Sequence, residues 1–101
     1  MHNAPTTLAR IAAPADAKHV EPWVDELGDG KTWGRYVRGT RQATAGVELV
    51  VCGWQDADGQ VGRHVSVWAT DTQLDAAALR QLATLALDAA DELDALQEAQ
   101  R

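Results

Sequence analysis

The stretch from Asp75 to about Gln97 contains no glycine and no proline and is rich in alanine and leucine, so it specifies a long helix. Leu79, Leu82, Ala86, Ala89, Leu93 and Leu96 recur at alternating three- and four-residue steps, and Ala83, Leu85 and Ala90 widen that stripe. Arg80, Gln81, Thr84, Asp88, Asp91 and Asp94 occupy the opposite face, with Leu87 at the flank. Asp75 is placed to cap the first turn, and Leu74 and Leu79 have the spacing of a hydrophobic staple around it. A helix with one apolar stripe must bury it against another layer. A coiled coil is the less favoured arrangement, since the pattern lasts only two to three heptads.

The layer in question precedes the helix. Val47 to Trp54 is enriched in β-branched residues and bounded by turns, and Val61 to Ala69 alternates Val65, Val67 and Ala69 with His64, Ser66 and Trp68. Residues paired across a hairpin share a face, so Val47, Leu49 and Val51 should meet Val65, Val67 and Ala69. An even-length loop would mix the faces. A three-residue loop, Ala57-Asp58-Gly59 with Gly59 left-handed, sets Val51 opposite Val65 and Cys52 opposite His64. A further strand is expected over Trp33 to Thr40, followed by a linking turn from Arg41 to Gly46. The fold class is therefore α+β: about three antiparallel strands with one long C-terminal amphipathic helix packed on one face.

Residues 1 to 30 hold all three prolines, Pro5, Pro14 and Pro22, and show no sustained periodicity. Pro22 to Leu27, stopped by Gly28, suits one or two helical turns, and Thr6 to Ala12 suits a short edge strand or no regular structure. Order in this segment is left open. With 101 residues, one domain around one core is expected.

The hairpin ending Val65-Ser66-Val67-Trp68, then Leu74-Asp75-Ala76-Ala77-Ala78-Leu79-Arg80-Gln81-Leu82-Ala83 through Asp88-Ala89-Ala90-Asp91-Glu92-Leu93-Asp94, resembles small uncharacterised proteins of actinobacteria and their phages. It covers roughly the last half of the chain. The resemblance implies no activity; it implies an accessory or prophage-borne role in the cytoplasm.

Composition narrows the functional classes. The net charge of -6 argues against general nucleic-acid binding, and the longest apolar run is far shorter than the ~20 residues that cross a bilayer. The N-terminus lacks the basic start and apolar stretch of a secretory signal, so a cytoplasmic location is expected. Cys52, the single cysteine, excludes an internal disulfide. Together with His64 it supplies two ligands where zinc wants three or four, and His2 and His19 are poorly placed to complete the set. A thiol nucleophile would need an orienting third group, which cannot be named. Asp88, Asp91, Glu92 and Asp94 read as a solvated helix face, and Asp56-Ala57-Asp58-Gly59 lacks the later acidic ligand of a calcium loop. No catalytic, cofactor-binding or metal residue is expected.

What remains is a surface. If the helix covers one sheet face, the other presents Val50, Cys52, Trp54, His64, Ser66 and Trp68, joined by Trp33 or Tyr36. A contiguous aromatic patch implies a covering segment, a partner or a ligand. The N-terminal third, through Trp23, Val24 and Leu27, is one cover; a second copy of the chain is another; a different protein or small apolar molecule is a third. The faces would be exchanged if Trp54 and Trp68 formed the core. The expectation adopted is a non-catalytic interaction module, a homodimer with Tyr36, Val50, Trp54 and Trp68 at its interface. The alternative is a nucleic-acid-associated protein using Arg35, Arg38 and Arg41, which the net charge disfavours.

Overall fold

The computed structural model describes residues 3–100; His2 lies outside them. A short 3-10 helix, Thr6–Arg10, opens the described chain, where an edge strand or no structure was expected. It buries Leu8, and the carbonyls of Pro5 and Leu8 accept hydrogen bonds from the amides of Leu8 and Ile11, both at 3.1 Å. There follow β1 (His19–Val20), β2 (Val24–Asp25), β3 (Trp33–Thr44), β4 (Val47–Asp56), β5 (Val61–Ala69) and α1 (Ala76–Glu98). The strands form one sheet in the order β1-β3-β4-β5, with β2 also paired to β3. The class is α+β, but the sheet has five strands rather than about three. The two additions are two residues long, too short for any alternation to show.

By internal compactness the chain forms two units: Met1–Gly39 with Cys52–Gly62, and Thr40–Val51 with Arg63–Arg101. In the first, β1 and β2 line one edge of β3. His19 and Val20 pair with Arg38 and Val37, whereas Val24 and Asp25 pair with Gly34 and Trp33. The offset changes by one between the two pairings, so Glu21-Pro22-Trp23 carries one extra residue and forms a bulge. Proline suits that place because it has no N–H to give to a ladder.

The helical turns expected over Pro22 to Leu27 are therefore absent; Val24–Asp25 is a strand and Glu26 and Leu27 lie in the turn that follows it. β2 and β3 enclose a loop closed by the Glu26 amide donating to Thr32 O at 2.8 Å, with Gly28 and Gly30 at φ +69° and +73°. The Asp25 carboxylate accepts from the Gly30 amide at 2.8 Å. Local side-chain hydrogen bonding and two left-handed glycines favour this loop over a helix.

In the second unit β3 runs on to Thr44, so Arg41 to Gly46 is not a linking segment. The turn is only Ala45-Gly46, with φ +48° and +82°, the two-residue geometry whose twist matches a hairpin. At the other end of β4 the loop Ala57-Asp58-Gly59 is as expected. Gly59 sits at φ +87°, its amide donates to Asp56 O at 3.0 Å, and the Asp56 amide donates to Gln60 O at 2.9 Å. Asp56 Oδ1 accepts from the Asp58 and Gln60 amides at 2.9 and 3.0 Å, so its carboxylate is occupied in shaping the turn.

α1 begins where expected, with Asp75 accepting from the Ala78 amide at 2.8 Å. Its packing differs from expectation, for no residue of the helix is buried. The half-buried side chains are Ala78, Leu82, Leu85, Ala89, Glu92, Leu93 and Leu96, while Leu79 and Ala86 of the expected stripe are exposed. The helix is rolled toward β3. Gln81 meets the Thr44 hydroxyl at 2.9 Å, and Asp88, Ala89 and Glu92 share a cavity of about 60 Å³ with Thr40, Gln42, Leu49 and Val51. The helix thus lies on the sheet face of Leu49 and Val51, the one expected.

Candidate functional site

Four residues, Tyr36, Val50, Trp54 and Trp68, were expected to form one aromatic interface, and each has its own surroundings within its unit. Val50 is only 5% exposed in the single chain, because β4 is a central strand and Leu49, Val50, Val51 and Cys52 are all buried in succession. Trp54 is half-buried: its indole lies directly against Gly34 and meets the Tyr36 ring edge-on, with centroids 5.6 Å apart. A Cβ at position 34 would collide with that indole, which explains a glycine inside a strand. Tyr36 and Trp54 form a local pair in the first unit. Trp68 stands in the second and is 66% exposed.

Around Trp68 the strand is bare on both faces. Val67 is 63% exposed, and Ala69 is exposed as well. A core-facing strand alternates buried and exposed positions, so two adjacent large apolar residues in water mean that neither face is covered. In the first unit Val24 and Leu27 are themselves exposed, and Trp23 is engaged.

That engagement is a polar cluster which periodicity gave no means of locating. Gln55 is the one buried polar residue among those described, 2% exposed. Its carbonyl oxygen accepts from Arg35 Nε at 2.7 Å, and its amide nitrogen donates to Ala12 O at 2.9 Å and, more weakly, to Gly59 O at 3.4 Å. Arg35 also donates to Ile11 O at 3.0 Å, and its guanidinium lies 4.3 Å from the centre of the Trp23 ring. Burial lowers the Arg35 pKa from its ordinary value, though a guanidinium stays charged at any working pH. Two side chains thereby tie residues 11 and 12 and the Gly59 turn to β3 and β4. The sequence signal was a glutamine at the end of an apolar strand run.

Arg35, Arg38 and Arg41 each have a polar or acidic neighbour, though Arg38 and Arg41 remain exposed. Arg35 is in the clasp just described, Arg38 lies 3.9 Å from Glu21, and Arg41 pairs with Glu48 at 3.2 Å. A spacing of three along a strand also turns successive side chains to opposite faces. The Cys52 thiol is buried, and among the described residues no group of three or more His, Cys, Asp or Glu side chains is placed to hold a metal ion. Nor is any described helix long and apolar enough to cross a membrane. Comparison with protein-family models, curated proteins and solved structures finds no match for this chain.

Proposed function

We propose that this chain is a non-catalytic protein-interaction module that associates with a second copy of itself. The observation that carries this reading is the exposure of Val67 and Trp68 on opposite faces of the last strand of the sheet. Scattered apolar residues on a surface need no partner, but a large aromatic beside a β-branched residue on an outer strand is the composition of an interface core. Twofold pairing is the commonest way for one chain to cover such a surface. A cytoplasmic accessory role fits a module of this kind.

The test is molar mass by light scattering over a concentration series, for the wild type and for Trp68→Ala. The reading expects a wild-type dimer and a folded monomer for the variant. A wild type that stays monomeric throughout the series refutes self-association. Salt-dependent binding of DNA or RNA by the same protein would instead favour the nucleic-acid alternative.

A further inference from the structure

The pairing geometry of β5 says how a second copy would bind. The bond from the Asp56 amide to Gln60 O sets the phase of the β4–β5 ladder, and Glu48 and Trp68 line one surface hollow, as the same register requires near its other end. In an antiparallel ladder alternate residues direct their backbone groups to the neighbouring strand. Even-numbered residues of β5 thus address β4, while Val65, Val67 and Ala69 direct their N–H and C=O groups outward. Beyond β5 the sheet has no further strand among the described residues.

The two edges of this sheet contrast. One is broken into β1 and β2 by the Pro22 bulge, a usual way to blunt an edge against pairing. Val65 to Ala69 on the other edge contains no proline, glycine or charge. Nothing in that segment discourages another strand.

α1 leaves the same edge open. A helix is about 10 Å across and strands are about 4.8 Å apart, so one helix covers two strands and not three. Gln81, Asp88 and Glu92 mark the side of α1 that leans over β3. The helical repeat puts Leu79, Ala83, Ala86 and Ala90 on the opposite side, above β5, and all four are exposed. Val67, on the same sheet face as Leu49, lies bare beside them.

We infer, on the basis of the self-association proposed above, that two copies join edge to edge: β5 pairs antiparallel with β5 about a twofold axis at Val67. Val65 of each copy then opposes Ala69 of the other, and the two α1 helices run antiparallel on one face of the extended sheet. Charge favours the same arrangement. Arg80 is the single cation of α1, and Asp91, Asp94 and Glu98 stand in its second half off the β3 side, so antiparallel helices set the Arg80 end of each copy alongside the acidic end of the other. Trp68 leaves on the order of 150 Å² in water. The paired strand edge adds to this area, against the ~800 Å² per partner of a standard specific interface.

The experiment is residue-resolved amide hydrogen exchange on the isotopically labelled full chain, concentrated and dilute, with molar mass measured in parallel and Val67→Lys as the variant. The expected result is a wild-type dimer in which the Val65, Val67 and Ala69 amides exchange at least about a hundredfold more slowly than in the dilute monomer. Val67→Lys is expected to be a folded monomer without that protection. A dimer whose three amides exchange equally fast at both concentrations overturns edge pairing and leaves self-association standing. A protein monomeric at every concentration removes both. Because the amide comparison uses the wild type alone, it decides the question even if the lysine variant fails to fold.

Discussion

Replacing Gln55 by leucine should cost about 3 kcal/mol of folding stability, although the volume change is small and leucine suits a buried strand position. The side chain supplies an acceptor to the Arg35 guanidinium at 2.7 Å and a donor to Ala12 O at 2.9 Å. Leucine can do neither. A hydrogen bond to a charged group contributes about 1.5–3 kcal/mol and a neutral one about 1, and a buried group deprived of its partner loses most of that. The 3.4 Å contact with Gly59 O is too long to add much. Against a total stability of roughly 5–15 kcal/mol for a small domain, this is a large fraction.

Equilibrium urea denaturation measures it directly. With a slope of about 2 kcal/mol/M, the midpoint of Gln55→Leu should fall by about 1.5 M. Gln55→Glu separates the two contacts, because a carboxylate keeps the Arg35 bond but opposes Ala12 O with a second acceptor. Its stability should fall between wild type and Gln55→Leu. A double-mutant cycle with Arg35→Leu should give a coupling of about 1 kcal/mol or more. A Gln55→Leu variant within about 0.5 kcal/mol of wild type would falsify the claim that this cluster clasps the N-terminal segment.

Three further substitutions bear on local geometry. Ala45 adopts φ +48°, where alanine is strained by about 1 kcal/mol and asparagine or glycine is not, so Ala45→Asn should raise the thermal midpoint by a few degrees. An unchanged or lower midpoint would count against strain in the turn. Asp75→Ala removes the cap on the Ala78 amide and should cost about 1 kcal/mol by denaturant titration, with Asp75→Ser recovering most of it. Gly34→Ala drives a methyl group into the Trp54 indole and should cost about 2 kcal/mol or more, with a change in tryptophan emission. Wild-type stability in that variant would mean that the indole moves aside at little cost.

The strand and helix positions were legible because they rest on local chemistry. β5 matches its expected span, Asp75 caps α1 and Gly59 takes the left-handed position, each through a feature confined to a few residues. β1 and β2 were not legible, since a two-residue strand is defined by its partner rather than its own pattern. The helical turns expected after Pro22 failed for the same reason. A proline start and a glycine stop describe helix ends, but here β3 offered hydrogen bonds to the intervening residues and the proline occupied the bulge between two pairings.

The residues expected at an interface divide along the same line. Alternation placed Val50, Trp54 and Trp68 on faces, yet a face is open only if nothing covers it, and coverage is set by how many neighbours a strand acquires. Val50 belongs to a strand with neighbours on both sides and is buried; Trp68 belongs to the last strand and is not. The apolar stripe of α1 was legible as a stripe, but it is wider than the part the helix buries. Its excess, Leu79, Ala83, Ala86 and Ala90, falls above the strand that one helix cannot reach. Two surpluses that are unrelated in sequence, an apolar outer strand and an over-wide helix stripe, thus become one surface in the fold. That coincidence is the reason a second copy, which brings both surpluses at once, is the occupant proposed for this surface.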